Sequence, residues 1–163
     1  MYKLILVFSL LFSPQVFAQA SASATVESRA TVIDPIQIEK TVDLDFGNVI
    51  SAYTPGTVIL SPEGTRVAYG VLLSNSIPGN VAPAEAVVTH GNHNYAISLP
   101  DSFTLYHQEN PNQVLIIEDF TVTPLPGEER DVLRIGATLK LEANQVSGYY
   151  TNSAGFNVTV SYN

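Results

Sequence analysis

Three histidines are the first residues to weigh, because imidazole is the side chain best suited to metal ligation and proton transfer near neutral pH. Two of them form His90-Gly-Asn-His93. Neutral imidazoles at that spacing could hold zinc or copper, but such a site needs a third ligand and outer partners that orient the first ones. No third ligand is apparent in the sequence. Gly91 and Asn92 both tolerate positive φ, so the stretch reads as a turn with a histidine at either end. His107, close to Asn110-Pro111, reads as loop surface. Neither a metal nor any other cofactor is expected.

The carboxylates give no better chemistry. Asp43-x-Asp45 opens like a calcium loop, whose pattern continues with a further oxygen ligand, a glycine and a distant glutamate. Gly47, Asn48 and Thr54 stand in those places, so the pattern fails. A solvated strand face that discourages edge pairing accounts for the two aspartates. Glu118 and Asp119 are adjacent and would point to opposite faces of a strand, which is poor geometry for paired acid–base work. Glu128, Glu129 and Asp131 follow a Pro-Gly turn and read as solvated loop. There is no G-x-S-x-G elbow, no H-E-x-x-H helix and no phosphate-cradling glycine loop. The chain has no cysteine, which removes thiolate metal sites, a cysteine nucleophile, lipidated cysteine and disulfides together. Fifteen acidic against seven basic residues give a net charge of −8, which disfavours nucleic acid as a partner. The chain is read as non-enzymatic.

The elements that would position any site are strands. Hydrophobic periodicity is close to two almost everywhere, and no window carries a helical repeat. Leu133, Ile135, Ala137, Leu139 and Leu141 point one way, against Arg134, Gly136, Thr138 and Lys140. Phe156, Val158, Val160 and Tyr162 likewise oppose Asn157, Thr159 and Ser161, and the terminal strand is expected in the core. Shorter strands are read at residues 42–46, 57–60, 67–73, 86–90, 95–99, 103–105, 114–117 and 120–122. The runs 86–90 and 95–99 flank the histidine turn as a hairpin, and Ser61-Pro62-Glu63-Gly64 makes another turn. Strands this short and this regularly spaced predict an all-β antiparallel sandwich, with a closed barrel as the alternative.

The N-terminus reads as an address. Lys3 supplies a positive region, residues 4–12 an apolar one, and Val16-Phe17-Ala18 a small-x-small cleavage signal. Pro14 and Gln15 interrupt the run short of a membrane span. Residues 1–18 are therefore expected to be a signal peptide, leaving no membrane span after cleavage. Residues 19–33 follow as an N-terminal extension or donor-type strand, and 34–163 as a single β-sandwich domain. In the extension Ala20, Ala22, Ala24, Val26, Ala30 and Val32 share one face, broken by Ser28, while the other face is uniformly polar.

Gly136-Ala-Thr-Leu139, Ala143-Asn-Gln145, Gly148-x-Tyr150 and Phe156-x-Val158-Thr-Val160-x-Tyr162-Asn163 are the most specific run. With Leu44-x-Phe46-Gly47 and Tyr95-x-Ile97-x-Leu99-Pro100, it resembles a family of secreted bacterial proteins known only as a domain of unknown function. The chain is also loosely similar to chaperone–usher pilins, which end in an alternating apolar strand with a penultimate tyrosine, here Tyr162, and carry a glycine upstream, here Gly148. That spacing is approximate, and the disulfide of many pilins cannot form in this chain. The pilin resemblance implies an incomplete immunoglobulin-like sandwich, filled by strand addition from a neighbour's extension. It also implies copies of the chain itself and a periplasmic chaperone or usher as partners.

Two functions remain open at this level. One is an exported structural or adhesive subunit of a fimbria-like surface fibre, placed in the periplasm, on the cell surface or outside the cell. The other is a monomeric exported sandwich that binds a ligand, carbohydrate or envelope partner. Both require export, so the mature protein is expected to begin at Gln19, which N-terminal sequencing of the exported form checks. Recovery of Met1 from a membrane fraction would overturn both.

Overall fold

The computed structural model describes residues 20–163. The leader read at 1–18, and Gln19 after it, lie outside the described residues. The chain divides after Val32, and Ile33–Asn163 is all-β, antiparallel and, among the described residues, without helix.

The central element is the strand predicted most directly by alternation. It runs Arg130–Leu141 and is β10 in a chain order of twelve. Its inward residues Leu133, Ile135, Ala137, Leu139 and Leu141 are all buried, Leu133 completely. Along one edge it pairs with β9 (Val114–Leu125). Along the other, Arg130–Ile135 pairs with β6 (Ala84–Thr89), and Ala137–Leu141 pairs with β3 (Gly56–Leu60). The main sheet continues from β6 to β1 (Gln37–Val42), from β3 to β4 (Arg66–Tyr69), and from β9 through β8 (Ser102–His107) to β11 (Tyr150–Thr151).

The changeover at Gly136 curls this sheet into a half-barrel. A Cβ at Gly136 would run into the Leu60 carbonyl oxygen and the backbone of Ser61 and Pro62, so only glycine lets β3 approach there. Directly across, β9 carries a bulge. Two of its residues, Asp119 and Phe120, face the single Ala137, and Asp119 takes a φ of 50°. Bulges increase local twist, which is what a sheet changing direction requires. The concave side is filled by Phe46, Val58, Leu60, Val71, Leu115 and Ile117 together with β10. Two short pairs complete the domain: β2 (Val49–Ile50) with β5 (Leu72–Leu73), and β7 (Tyr95–Ser98) with β12 (Thr159–Tyr162).

Several expectations change. The runs at 86–90 and 95–99 do not form a hairpin, although His93 N does donate to the His90 carbonyl in the turn between them. β6 is taken on both edges by β1 and β10, so β7 pairs with β12 instead. Residues 67–73 form two strands, because Gly70 turns the chain with a φ of 73°. Residues 114–117 and 120–122 are one strand, continuous through the bulge and including Pro124. Residues 42–46 are not a strand: β1 ends at Val42, and Asp45 makes only an isolated bridge to Ala82. The terminal strand starts at Thr159, and Phe156, Val158, Val160 and Tyr162 are half-buried rather than central to the core. With one paired neighbour and one covered face, that strand cannot exclude water as β10 does.

Gly136→Ala tests the pivot. Alanine would be tolerated better than glycine in an unconstrained strand, whereas here it forces β3 away from β10. The expected outcome is a loss of about 2 kcal/mol of stability, read from the urea midpoint.

Candidate functional site

Along the flank of the main sheet the core becomes shallow. On β6 the inward residues are Ala84, Ala86 and Val88. The two alanines leave the floor low, and Ile135 of β10 continues it. The result is a cleft of about 270 Å³. One wall is β1 with the residues after it, contributing Ile38, Val42 and Leu44; the other is the approach to β12, contributing Phe156 and Val158. Phe156 is fixed from behind by the rings of Phe120 and Phe103, with centroids 4.8 and 5.9 Å away. The lining is largely apolar, and its polar members are Lys40, Asp43 and Glu85.

The cleft borders an unsatisfied sheet edge. β1 pairs with β6 alone among the described residues, so alternate N–H and C=O groups along its other edge have no ladder partner. Ile38 lies opposite Val88, and Lys40 opposite Ala86, which places both on the inner face. Lys40 Nζ meets Asp43 Oδ1 at 2.6 Å, with both side chains largely exposed. The lysine stem therefore lines the cleft while its charge sits at the mouth.

Beside this flank a polar knot ties distant segments together. The Asp131 carboxylate accepts hydrogen bonds from the Tyr95 hydroxyl at 2.6 Å and the Gly127 amide at 3.0 Å. His90 Nε2 lies 3.3 Å away, within ion-pair range but outside hydrogen-bond alignment. The Tyr162 hydroxyl donates to the carbonyls of Asp34, at 2.9 Å, and His90, at 3.3 Å. Burial opposes the charge on Asp131, yet the combined effect of Tyr95, the Gly127 amide and the His90 ring holds its carboxyl below the usual range. Burial, and after it the bond to Asp131, pushes the Tyr95 phenol far up.

This knot corrects two readings. Asp131 is 9% exposed rather than part of a solvated loop, and His107 is 6% exposed rather than loop surface. Glu128 and Glu129 are exposed as expected. His107 Nδ1 accepts from the amides of Glu109 and Asn110, both at 3.1 Å, and its Nε2 faces the Ser147 carbonyl at 3.1 Å. With Nδ1 accepting from two amides, Nε2 is the nitrogen placed to donate to the Ser147 carbonyl. The alternation of β8 marks residue 107 as inward, and that signal could have found it.

The residues read as a pilin-like terminal strand separate into three places. Gly148 and Tyr150 sit at His107: the Tyr150 ring packs edge-on at 5.0 Å, and a Cβ at Gly148 would strike the imidazole. Phe156 and Val158 line the cleft. Val160 and Tyr162 lie on β12 opposite Ile97 and Tyr95. The extension is a separate matter. Residues 20–32, with Ala20, Ala22, Ala24, Val26, Ala30 and Val32, carry neither strand nor helix and are exposed; the single ion pair among them joins Arg29 to Glu27 at 3.0 Å. Among the described residues no group of three or more potential ligands is placed to hold a metal, and no helix is long and apolar enough to cross a membrane.

The knot gives a pH prediction. Asp131 has a depressed folded pKa, so its contribution is fully present above the unfolded value of about 3.9 and disappears as pH falls through the folded value. Tyr95→Phe removes its shortest hydrogen bond and should cost about 2 kcal/mol at neutral pH. That cost should shrink below roughly pH 4 as the carboxylate protonates, which urea titrations across the acid range measure. A difference independent of pH would assign the hydroxyl to packing alone.

Residues 36–162 match the family model described as a domain of unknown function, DUF4402. No curated protein matches the chain, and no solved structure does. The matched region takes in every strand from β1 to β12, with both the cleft and the polar knot beside it, and by that match the chain belongs to the DUF4402 family.

Proposed function

We propose that this protein is an exported, non-enzymatic structural or adhesive subunit of a fimbria-like surface fibre. In this reading its domain is an incomplete immunoglobulin-like sandwich completed by strand addition. The observation that carries the proposal is the cleft of about 270 Å³, floored by Ala84, Ala86 and Ile135, beside the unpaired edge of β1. An extended segment adding to β1 would gain ladder hydrogen bonds from its free edge and turn alternate apolar side chains to the inner face, where Ile38 and Val42 line the cleft. Few polar groups converge in the cleft, and its volume lies just under the range usual for small-ligand pockets, roughly 300–1,000 Å³. A strand suits it better than a polar metabolite.

Residues 20–32 supply a candidate for that strand. Thirteen extended residues reach about 43 Å, at ~3.3 Å each, far more than one strand needs. The bond from the Tyr162 hydroxyl to the Asp34 carbonyl tethers the chain just before β1, and Phe120 holds Phe156 on the other wall.

The proposal is tested by deleting residues 20–32. The shortened chain is expected to fold with unchanged circular dichroism and melting temperature but to lose assembly, while the intact protein forms oligomers that grow with concentration. An intact protein that is monomeric at every concentration would overturn the fibre subunit in favour of the exported binding module.

A further inference from the structure

Away from the cleft, the β2–β5 pair departs from the pattern of the strands around it. β10 sets Arg134 and Lys140 against its buried residues, as a strand with one wet face does. In the β2–β5 pair Val49 and Leu73 turn inward and pack on the core, while Ile50 and Leu72, directly opposite each other, turn out. Both faces of the pair are apolar, which is the pattern of strands covered on both sides.

Three more side chains extend this outer face. Asn48 donates from its amide to the Pro78 carbonyl and from Nδ2 to the Ile77 carbonyl, each at 2.8 Å, so Ile77 lies beside the start of β2. Gly70 packs against Pro55, whose carbonyl oxygen a Cβ there would strike. That contact holds the segment carrying Tyr53 against the turn between Tyr69 and Leu72. Ile50 is 49% exposed, and Tyr53, Tyr69, Leu72 and Ile77 are between 61% and 91% exposed. At roughly 200 Å² for a large side chain, the five offer on the order of 600 Å², the upper end of what a monomer leaves bare. With exposed Ser51, Thr54, Asn75 and Ser76 among them, the face approaches the ~800 Å² that each partner hides in a standard interface.

Charge decides what covers it. Residues 46–62 and 67–84 contain no Asp, Glu, Lys or Arg, in a chain of net charge −8. Between those runs Glu63 sits in the turn at the far end of the β3–β4 hairpin, and the Arg66 guanidinium is held by the Phe46 and Asn48 carbonyls. We propose that this uncharged face docks the same face of a second copy, as a two-fold pair. Two acidic copies repel across most of their surface, and here they meet without setting acid against acid. A second copy also brings an apolar surface of matching size, and a two-fold contact uses that surface up, so it closes at two. The pairing is independent of strand addition, which uses β1 and joins copies without limit. Deleting the extension would end open growth and leave the pair.

Four forms of the exported chain decide it: wild type, Leu72→Glu, Tyr53→Glu, and Asn112→Glu, which adds the same charge in an exposed turn elsewhere. Circular dichroism checks that each is folded, and Tyr53, at 91% exposed, carries the test should Leu72→Glu fail to fold. Sedimentation gives the association midpoint of each. Leu72→Glu and Tyr53→Glu are expected to weaken association about tenfold, with Asn112→Glu close to wild type. An equal shift in all three variants would assign the effect to net charge and overturn the pairing, as would midpoints unchanged by any of them. Flotation with phosphatidylcholine vesicles tests the other occupant. Vesicle binding lost in Leu72→Glu, with sedimentation unchanged, would overturn the second copy in favour of a lipid surface.

Discussion

A strand edge can form only one ladder at each residue, and the rest of this structure follows from how β10 divides one of its edges. β6 takes that edge up to Ile135, and β3 takes it from Ala137. The residue between them must let two backbones approach without a side chain intervening, and Gly136 does so. The Asp119 bulge on the opposite edge lets β9 follow the bend. Because the sheet curls at this point, its concave face has two unequal halves. The half around Val58, Leu60 and Leu139 closes into a dense cluster. The half around Ala84, Ala86 and Ile135 stays shallow, and the cleft lies over it.

What could be read from the sequence was what one strand says about itself. The alternation of β10 gave its buried face from Leu133 to Leu141, though not its start at Arg130, and the Ser61–Gly64 turn was legible from composition alone. Pairing was harder, because partners are set by edges already occupied. The Gly91-Asn92 turn has hairpin chemistry, yet β6 has no free edge to offer β7. Burial of polar residues was hidden for the same reason. Asp131 is buried because Tyr95 and His90 converge on it from segments distant in sequence, joining the Gly127 amide of its own turn, and nothing near position 131 announces those two.

The candidate site was legible in its parts and not in their arrangement. Phe156 and Val158 were read as core residues of a terminal strand, yet they precede β12 and are half-buried, because alternation does not say how deep inward is. Depth depends on what lies opposite, and opposite them are alanines of a strand far away in sequence.

The pairing of β7 with β12 has a consequence for how the domain comes into being. β7 is made midway through the domain, and its ladder partner is the last strand of all. Such long-separation contacts form late, because the chain must lose loop entropy before they return anything. The main sheet can assemble through β11 while β7 waits, with Phe103 and Phe120 still lacking the Phe156 ring that packs on them. A newly made chain therefore passes through a stage with its central sheet built and one flank bare. The arrival of the C-terminal segment is a kinetic checkpoint, and the dwell time before it sets the window for mispairing with other chains.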